Sequence, residues 1–372
     1  MFNYRKYTDK YFLLSRDILQ TEGINPTVRY QVFARKDVKC LNGITEAVNF
    51  IKETTDDKVK IYALKDGDSY SANEPIMKLE GKAQDLIDLE TVYLGIISNG
   101  LTDNIDESQI EENAYAIKEV AEDKPLYYFG ARHFHYQRDK EIGEICQEAG
   151  FSGTSTDAGS TFFKEEGTGT TPHALFLIMQ AHLLSCGGIG NSSIWTMDAF
   201  NAVPNDIPRT MLNCTFNKEI TDVIDVARNI KLDGIRIDTC GDNVMQGMNY
   251  FVFPDFLYTH LSVDSKYIFG NGVNIAGVWG VRRALDLFGY EDLKITVSSG
   301  FNVAKTKAFM TADRVFKSIF NKPLFDIIGT GSLYPDVTMA TSDIVAYKEE
   351  GVWVPLSKVG RSENFNSRVE RV

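Results

Sequence analysis

The sequence predicts an α/β protein: an irregular, TIM-like α/β barrel with an N-terminal mixed α/β domain. Three observations lead there. Beyond residue 125, short apolar runs alternate with helical patterns, as in LYYFGA (126–131), MLNCTF (211–216), GIRID (234–238), LKITVS (293–298) and FDIIG (325–329). Strands alternating with helices argue for a parallel sheet, and so many units in about 220 residues favour closure over an open sheet. Before residue 125 strands and helices mix without that regularity, which marks a separate unit. The expected division is 1–120 for the N-terminal α/β domain, 121–340 for the barrel, and 341–372 for a C-terminal segment that rejoins the first domain.

The N-terminal elements follow from local pattern. YFLLSRDILQ, inside residues 1–22, has helical spacing, and 28–35 (VRYQVFAR) alternates as a strand does. Residues 43–53 suggest a helix, 59–64 (VKIYAL) a strand, 67–75 a turn-rich connection and 76–81 (IMKLEG) a strand. A helix is expected over 84–98, closed by Asn99-Gly100 as a C-cap pair, and another over roughly 106–122. In the barrel, helices are expected around 138–149 and at 218–230, with a short strand at 151–154; 155–172 and 240–270 fit neither template. The end alternates strands (DIVAYK, VWVPL) with a polar tail.

Composition narrows the function. The chain has 372 residues, 43% hydrophobic and 24% charged, which is enough for a sizeable core. A formal charge of −12 opposes nonspecific attraction to nucleic acid or anionic membrane, so any bound phosphate must be held by local groups. The five cysteines (40, 146, 186, 214, 240) form no CxxC pair and suit reduced thiols in a cytoplasm. The opening MFNYRKYTDK has no apolar signal core, and no run reaches the roughly 18 apolar residues of a membrane span. A cytoplasmic location is the expectation.

In a barrel, ligands sit at the C-terminal ends of the strands, and phosphates often lie after the last two. Ser298-Ser299-Gly300 follows LKITV, and Gly329-Thr330-Gly331-Ser332 follows FDII. Small residues let backbone N–H groups approach an anion closely, although either loop alone also reads as a turn. Arg236 and Asp238 share one strand face. They read either as a buried pair or as a phosphate clamp beside an acid that could face a cationic sugar carbon, or hold Mg²⁺ through water. Arg132, after LYYFGA, could bind a carboxylate or phosphate bidentately, or lie on the surface. His133 and His135 lack an evident third ligand, so no metal is expected on them. Gly169-Thr170-Thr171-Pro172-His173 enters the helix ALFLIMQAHLL, which puts His173 in its first turn as a catalytic candidate and His182 deeper as packing.

The order GARH, FSGTS, GTTPH, GIRIDT, VSSG, IIGTGS and KVGR, after Thr8-Asp9-Lys10-Tyr11 and DLETVYLGIIS, resembles the nicotinate phosphoribosyltransferases, a family of type II phosphoribosyltransferases related to the nicotinamide and quinolinate enzymes. The resemblance covers nearly the whole chain. It implies nicotinate and phosphoribosyl pyrophosphate as substrates, nicotinate mononucleotide and pyrophosphate as products in NAD salvage, Mg²⁺, and a homodimer or higher homo-oligomer with shared sites. It also implies that Tyr11 stacks on the pyridine across the dimer and that Arg132 sits near the nicotinate carboxylate or the pyrophosphate. His173 and Asp238 would be catalytic, with Arg236 as the strand arginine. Ser299, Gly300, Gly329, Thr330, Gly331 and Ser332 would hold the 5′-phosphate. Ser155 stands where nicotinamide enzymes carry Asp, which tilts the choice to nicotinate. His173 is followed by Ala174 and not by the Glu of ATP-coupled members, so ATP use is open, and 241–275 has the look of an aromatic-rich insertion. A phosphoribosyltransferase for another base such as nicotinamide, or a noncatalytic barrel binding phosphoribosyl ligands, are the alternatives.

Overall fold

The computed structural model describes residues 2–102, 104–204 and 206–372, with only the backbone of Asn249 and Tyr250. Its strands, in chain order, are β1 (Thr27–Ala34), β2 (Lys60–Ala63), β3 (Met77–Lys82), β4 (Leu126–Tyr128), β5 (Gly153–Thr154), β6 (Thr210–Leu212), β7 (Gly234–Ile237), β8 (Lys294–Val297), β9 (Ile327–Thr330), β10 (Ala340–Glu349), β11 (Val352–Pro355) and β12 (Glu370–Arg371). They form two six-stranded sheets. The first is antiparallel, in the order β11-β10-β1-β3-β2-β12; the second is parallel, in the order β5-β4-β9-β8-β7-β6. The α/β class matches the sequence expectation, with every pairing of the first sheet antiparallel and every pairing of the second parallel.

Among the described residues β5 and β6, the ends of the parallel sheet, do not pair with each other. The gap between them is filled by irregular chain. Thr168 N donates to the Thr154 carbonyl at 2.8 Å on one side, and Leu212 N donates to Thr171 Oγ1 at 2.8 Å on the other. The stretch 155–172 resists a strand or helix template because, apart from one short helical turn at Gly159–Phe163, its backbone groups are satisfied by scattered partners such as the Lys6 carbonyl for Ala158 N and the Asp157 carboxylate for Gly167 N.

The first sheet recruits the C-terminal segment: β10 runs antiparallel to β1, with Gln31 opposite Asp343 and Tyr30 opposite Ile344. Gln31 then ties the tail, donating to the Ser362 carbonyl and accepting from Asn364 N. One continuous apolar cluster runs through both sheets, from Phe12 and Val32 to Ile235 and Ile328.

Two local expectations change. The helix expected over 84–98 is two, Ala83–Leu86 and Glu90–Leu101. Asn99-Gly100 is not its cap, because the helix continues to Leu101; a Cβ at Gly100 would collide with the Asn42 carbonyl, so this glycine serves close backbone packing. A further helix, Ser192–Ala202, carries no strong amphipathic pattern because its buried face includes Ser192, Ser193 and Thr196 while Trp195 is exposed. The aromatic-rich stretch 241–275 contains three short helices, Gln246–Tyr250, Asp255–His260 and Ser265–Ile268, that pack on the helix Ile275–Leu287 through Phe251 and Phe253 against Trp279.

The helix Asp139–Glu148 docks through Gly143, where a Cβ would run into the Gly159 carbonyl group. Backbone cannot give way as a side-chain end can. Gly143→Ala is therefore expected to destabilise the protein by about 1–3 kcal/mol in urea unfolding, whereas the exposed Glu144→Ala on the same helix should stay within about 0.5 kcal/mol. Equal midpoints for the two would show that this contact is not tight.

Candidate functional site

A cavity of about 400 Å³ opens where the C-terminal ends of the parallel strands meet the first sheet. Tyr11, Arg132, His173, Arg236, Asp238, Ser299, Gly300, Gly329, Gly331 and Ser332 all line it. Residues drawn from more than 300 positions of chain are thus brought to one space.

Its centre is the strand pair from β7. Arg236 is almost fully buried; its Nη1 donates to Thr170 Oγ1 at 3.0 Å and its Nη2 to Asp238 Oδ2 at 3.4 Å. The other Asp238 oxygen accepts from Ser298 Oγ at 2.8 Å. A carboxylate offers about four lone-pair sites, so this one is anchored yet keeps acceptor capacity toward the cavity. The Arg236 guanidinium lies 5.7 Å from the Tyr11 ring centroid and 5.9 Å from that of Phe129. Two aromatic rings therefore border the same cationic group.

His173 is the first residue of the helix His173–Ser185, after Pro172 at the cap. Its Nδ1 bonds Thr215 Oγ1 at 3.0 Å, and its Nε2 stands 3.9 Å from Asp238 Oδ2. Burial first, then Lys358, Arg236, Arg132 and Arg361, push the imidazole well below its ordinary range, so the ring is neutral. The residue bonded to Nδ1 is a hydroxyl and not a carboxylate.

Arg132 reaches the cavity from the turn after β4. Its Nη1 donates to Glu90 Oε1 at 3.1 Å and its Nη2 to the Tyr11 hydroxyl, which in turn donates to Asp9 Oδ2 at 3.3 Å. Tyr11 lines this cavity from its own chain, held by Arg132 and Asp9. Burial pushes the Glu90 carboxyl up to about 7, against the pull of Arg132.

The loops after β8 and β9 differ in character. Ser299 and Gly300 both have left-handed backbones (φ 75° and 68°), which is strained for serine and common at ligand loops. The helix Val303–Phe320 follows, and Lys305 Nζ donates to the Ser299 carbonyl at 2.8 Å. Burial lowers the Lys305 amine to about 8, with Asp238 opposing. After β9, Gly329 and Gly331 are needed for packing: Cβ atoms there would strike the Phe129 ring and, at 2.6 Å, the His133 ring. Thr330 is buried and donates to the Phe301 carbonyl, so its side chain props the two loops together and is not a ligand group. Ser332 alone of this loop offers a hydroxyl to the cavity.

Ser155 also departs from expectation. It is buried, its Oγ has no hydrogen-bond partner, and it does not line the cavity. Its backbone explains the placement, since Ser155 N donates to the Tyr128 carbonyl and Ser155 O accepts from Lys10 N, which turns the residue behind β4.

Several cavity groups escaped the motif reading. Arg35, Glu90, Asp343, Lys358 and Arg361 line the wall contributed by the first sheet, the helix Glu90–Leu101 and the tail. Asp343 accepts from Lys358 Nζ at 3.1 Å and from Arg361 Nε at 3.0 Å, and Arg361 also pairs with Asp242, which holds Arg35 at 3.3 Å. The available signal was KVGR, which contains Lys358 and Arg361. Among the described residues no group of three or more His, Cys, Asp or Glu is arranged to hold a metal.

Residues 9–99 match the model of the quinolinate phosphoribosyl transferase N-terminal domain. Two solved structures are similar over almost the full length. A nicotinate phosphoribosyltransferase from Porphyromonas gingivalis is 14% identical, with 99% of this chain and 96% of that chain covered and a TM-score of 0.64. A nicotinate phosphoribosyltransferase from Vibrio cholerae is 12% identical, with 95% and 87% covered and a TM-score of 0.61. The likeness is one of fold, and it extends over both sheets.

The neutral imidazoles are open to direct measurement. Burial, with Arg132 adding to it, lowers His133 to about 4, and His173 is also pushed well down. In a ¹H–¹⁵N imidazole titration, both should remain neutral from pH 8 to pH 6. A midpoint for His173 at the ordinary value near 6.5 would contradict the cationic surroundings described.

Proposed function

We propose that this chain, whose fold is that of the nicotinate phosphoribosyltransferases, transfers a phosphoribosyl group from phosphoribosyl pyrophosphate to the ring nitrogen of nicotinate, releasing pyrophosphate. The observation that carries the reading is the convergence, in one cavity, of an anchored Asp238, the aromatic pair Tyr11 and Phe129, the guanidinium of Arg132 and the Ser299-Gly300 loop.

The chemistry needs few covalent resources. Displacement at the ribose C1 passes through a cationic, oxocarbenium-like state. Asp238 supplies fixed negative charge, with Ser298 and Arg236 holding its carboxylate in place. The flat base would lie between Tyr11 and Phe129, its carboxylate toward Arg132, so that its nitrogen meets C1 in line. The Ser299-Gly300 backbone and Ser332 are placed for the 5′-phosphate, and Lys358, Arg361 and Arg35 for the pyrophosphate. Magnesium fits a site with one available acid, because it keeps much of its water and binds through substrate phosphates. Asp238 would hold it through water, and the ion would neutralise charge on the leaving pyrophosphate. His173 stands beside Asp238 in this scheme, its Nε2 3.9 Å from the carboxylate, and its neutral ring is the form that can act as a nucleophile toward a phosphoryl group.

Mononucleotide formation should be followed from phosphoribosyl pyrophosphate and Mg²⁺ with nicotinate, nicotinamide and quinolinate offered separately, each with and without ATP. Product from nicotinate is expected; product from another base alone would reassign the substrate, and none from any base would leave a ligand-binding barrel. Asp238→Asn keeps shape and removes charge, so turnover should fall by about a hundredfold or more with the melting temperature little changed. Wild-type turnover in that variant would remove Asp238 from the chemistry.

A further inference from the structure

Arg132 is the guanidinium that the proposed base would meet, and it is already engaged. Nη1 holds Glu90 Oε1 at 3.1 Å, and Nη2 holds the Tyr11 hydroxyl. Glu90 is buried and lines the same cavity. A carboxylate that docks on Arg132 therefore arrives beside a carboxylate already there.

We propose that binding of a pyridine carboxylate at Arg132 takes up one proton onto Glu90, which makes Glu90 the group that sets the pH range over which an acid base is preferred to an amide base. This rests on the reading of the cavity as a phosphoribosyltransferase site. It moves the choice of base from Ser155, whose hydroxyl is outside the cavity, to a side chain inside it.

The neighbours of Glu90 leave little to offset a second negative charge. From the N-terminal helix and its approach come Asp9 and Tyr11; from β1, Tyr30; from its own helix, Tyr93; from β10, Asp343; from the tail, Lys358; and from the turn after β4, Arg132. Of the two cations, Lys358 is committed to Asp343 at 3.1 Å, which leaves Arg132. Arg236, the next cation in the cavity, is bonded to Thr170 and Asp238. Two carboxylates sharing one guanidinium in a buried site raise the proton affinity of one of them. Glu90 is the poised member, because burial has already pushed it up to about 7 in the empty cavity.

The direction follows. Below about pH 6 Glu90 is already protonated, and a carboxylate base binds with no further uptake. Above about 7 Glu90 is ionised in the empty cavity, and the bound carboxylate must draw a proton to it. Affinity for nicotinate then falls by up to about tenfold per pH unit. Nicotinamide brings no charge and carries an N–H that ionised Glu90 can accept, so its affinity should not fall in that window.

The test is titration calorimetry of nicotinate and nicotinamide into the full-length chain at pH 6, 7 and 8, in buffers of different ionisation enthalpy. For nicotinate, uptake near one proton is expected at pH 8 and little at pH 6; for nicotinamide none at either. Glu90→Gln copies the protonated form and should bind nicotinate without uptake and without the loss above pH 7. Nicotinate binding at pH 8 with no proton uptake by the wild-type chain overturns the proposal, and the buffer series decides this even if the variant fails to fold. Undiminished uptake in a folded Glu90→Gln also overturns it, since another group would be titrating. Absence of binding by either base removes the functional reading on which the proposal stands, and the proposal with it.

Discussion

The pairing of β10 with β1 is the constraint from which the rest of the architecture follows. β1 is buried along most of its length and lies between β10 and β3, so without β10 it would present an unpaired apolar edge. Supplying that strand from the far end of the chain closes the first sheet and lays the tail across the mouth of the parallel strands. Asp343 sits on β10 directly opposite Gln31, which fastens the tail at Ser362 and Asn364. The same register that completes the sheet therefore hangs Lys358 and Arg361 over the cavity. A one-residue slip would turn Asp343 to the other face and release both cations.

The cavity also resolves an apparent conflict in charge. A chain of net charge −12 is a poor general attractor for phosphate, yet five Arg and Lys side chains line this space: Arg35, Arg132, Arg236, Lys358 and Arg361. Each has an acidic partner, Asp242, Glu90, Asp238 or Asp343. The more buried of them, Arg236, Lys358 and Arg361, are tolerable in the empty state only when paired. The acids thus hold guanidinium groups in fixed orientations, at the expense of competing with any anionic ligand for them. A phosphate that enters adds donors' partners without asking the side chains to reorganise.

The parts of this arrangement that follow local rules were legible in the sequence. Parallel strands announce themselves as apolar runs between helical patterns, and period-two spacing placed Arg236 and Asp238 on one face of β7. Glycine and serine after late strands pointed to the loops, although Gly329 and Gly331 turn out to accommodate Phe129 and His133. What local pattern did not carry is contact across the two sheets. Glu90 reads as one residue in an apolar helix, Asp343 as the start of a strand, and nothing near either in sequence shows that Arg132 or Arg361 will face it. Ser155 failed for a related reason: position in a motif says where a residue lies along the chain, while the bonds of its backbone to Tyr128 and Lys10 decide which way its side chain is turned.

On the proposed reading, selection among similar bases becomes a question of charge balance and not of a single contact. A pocket with a lone arginine would bind any carboxylate and reject an amide by the loss of one ion pair. Here the arginine carries Glu90, so the free-energy difference between acid and amide includes the proton state of a neighbouring side chain. Such a site discriminates through what it must neutralise, since an ionised Glu90 repels the acid and can accept from the amide. The tyrosine hydroxyl between Arg132 and Asp9 keeps the guanidinium from swinging away to escape the conflict. With the cation held from two sides, the proposed scheme leaves the proton on Glu90 as the variable beside the base.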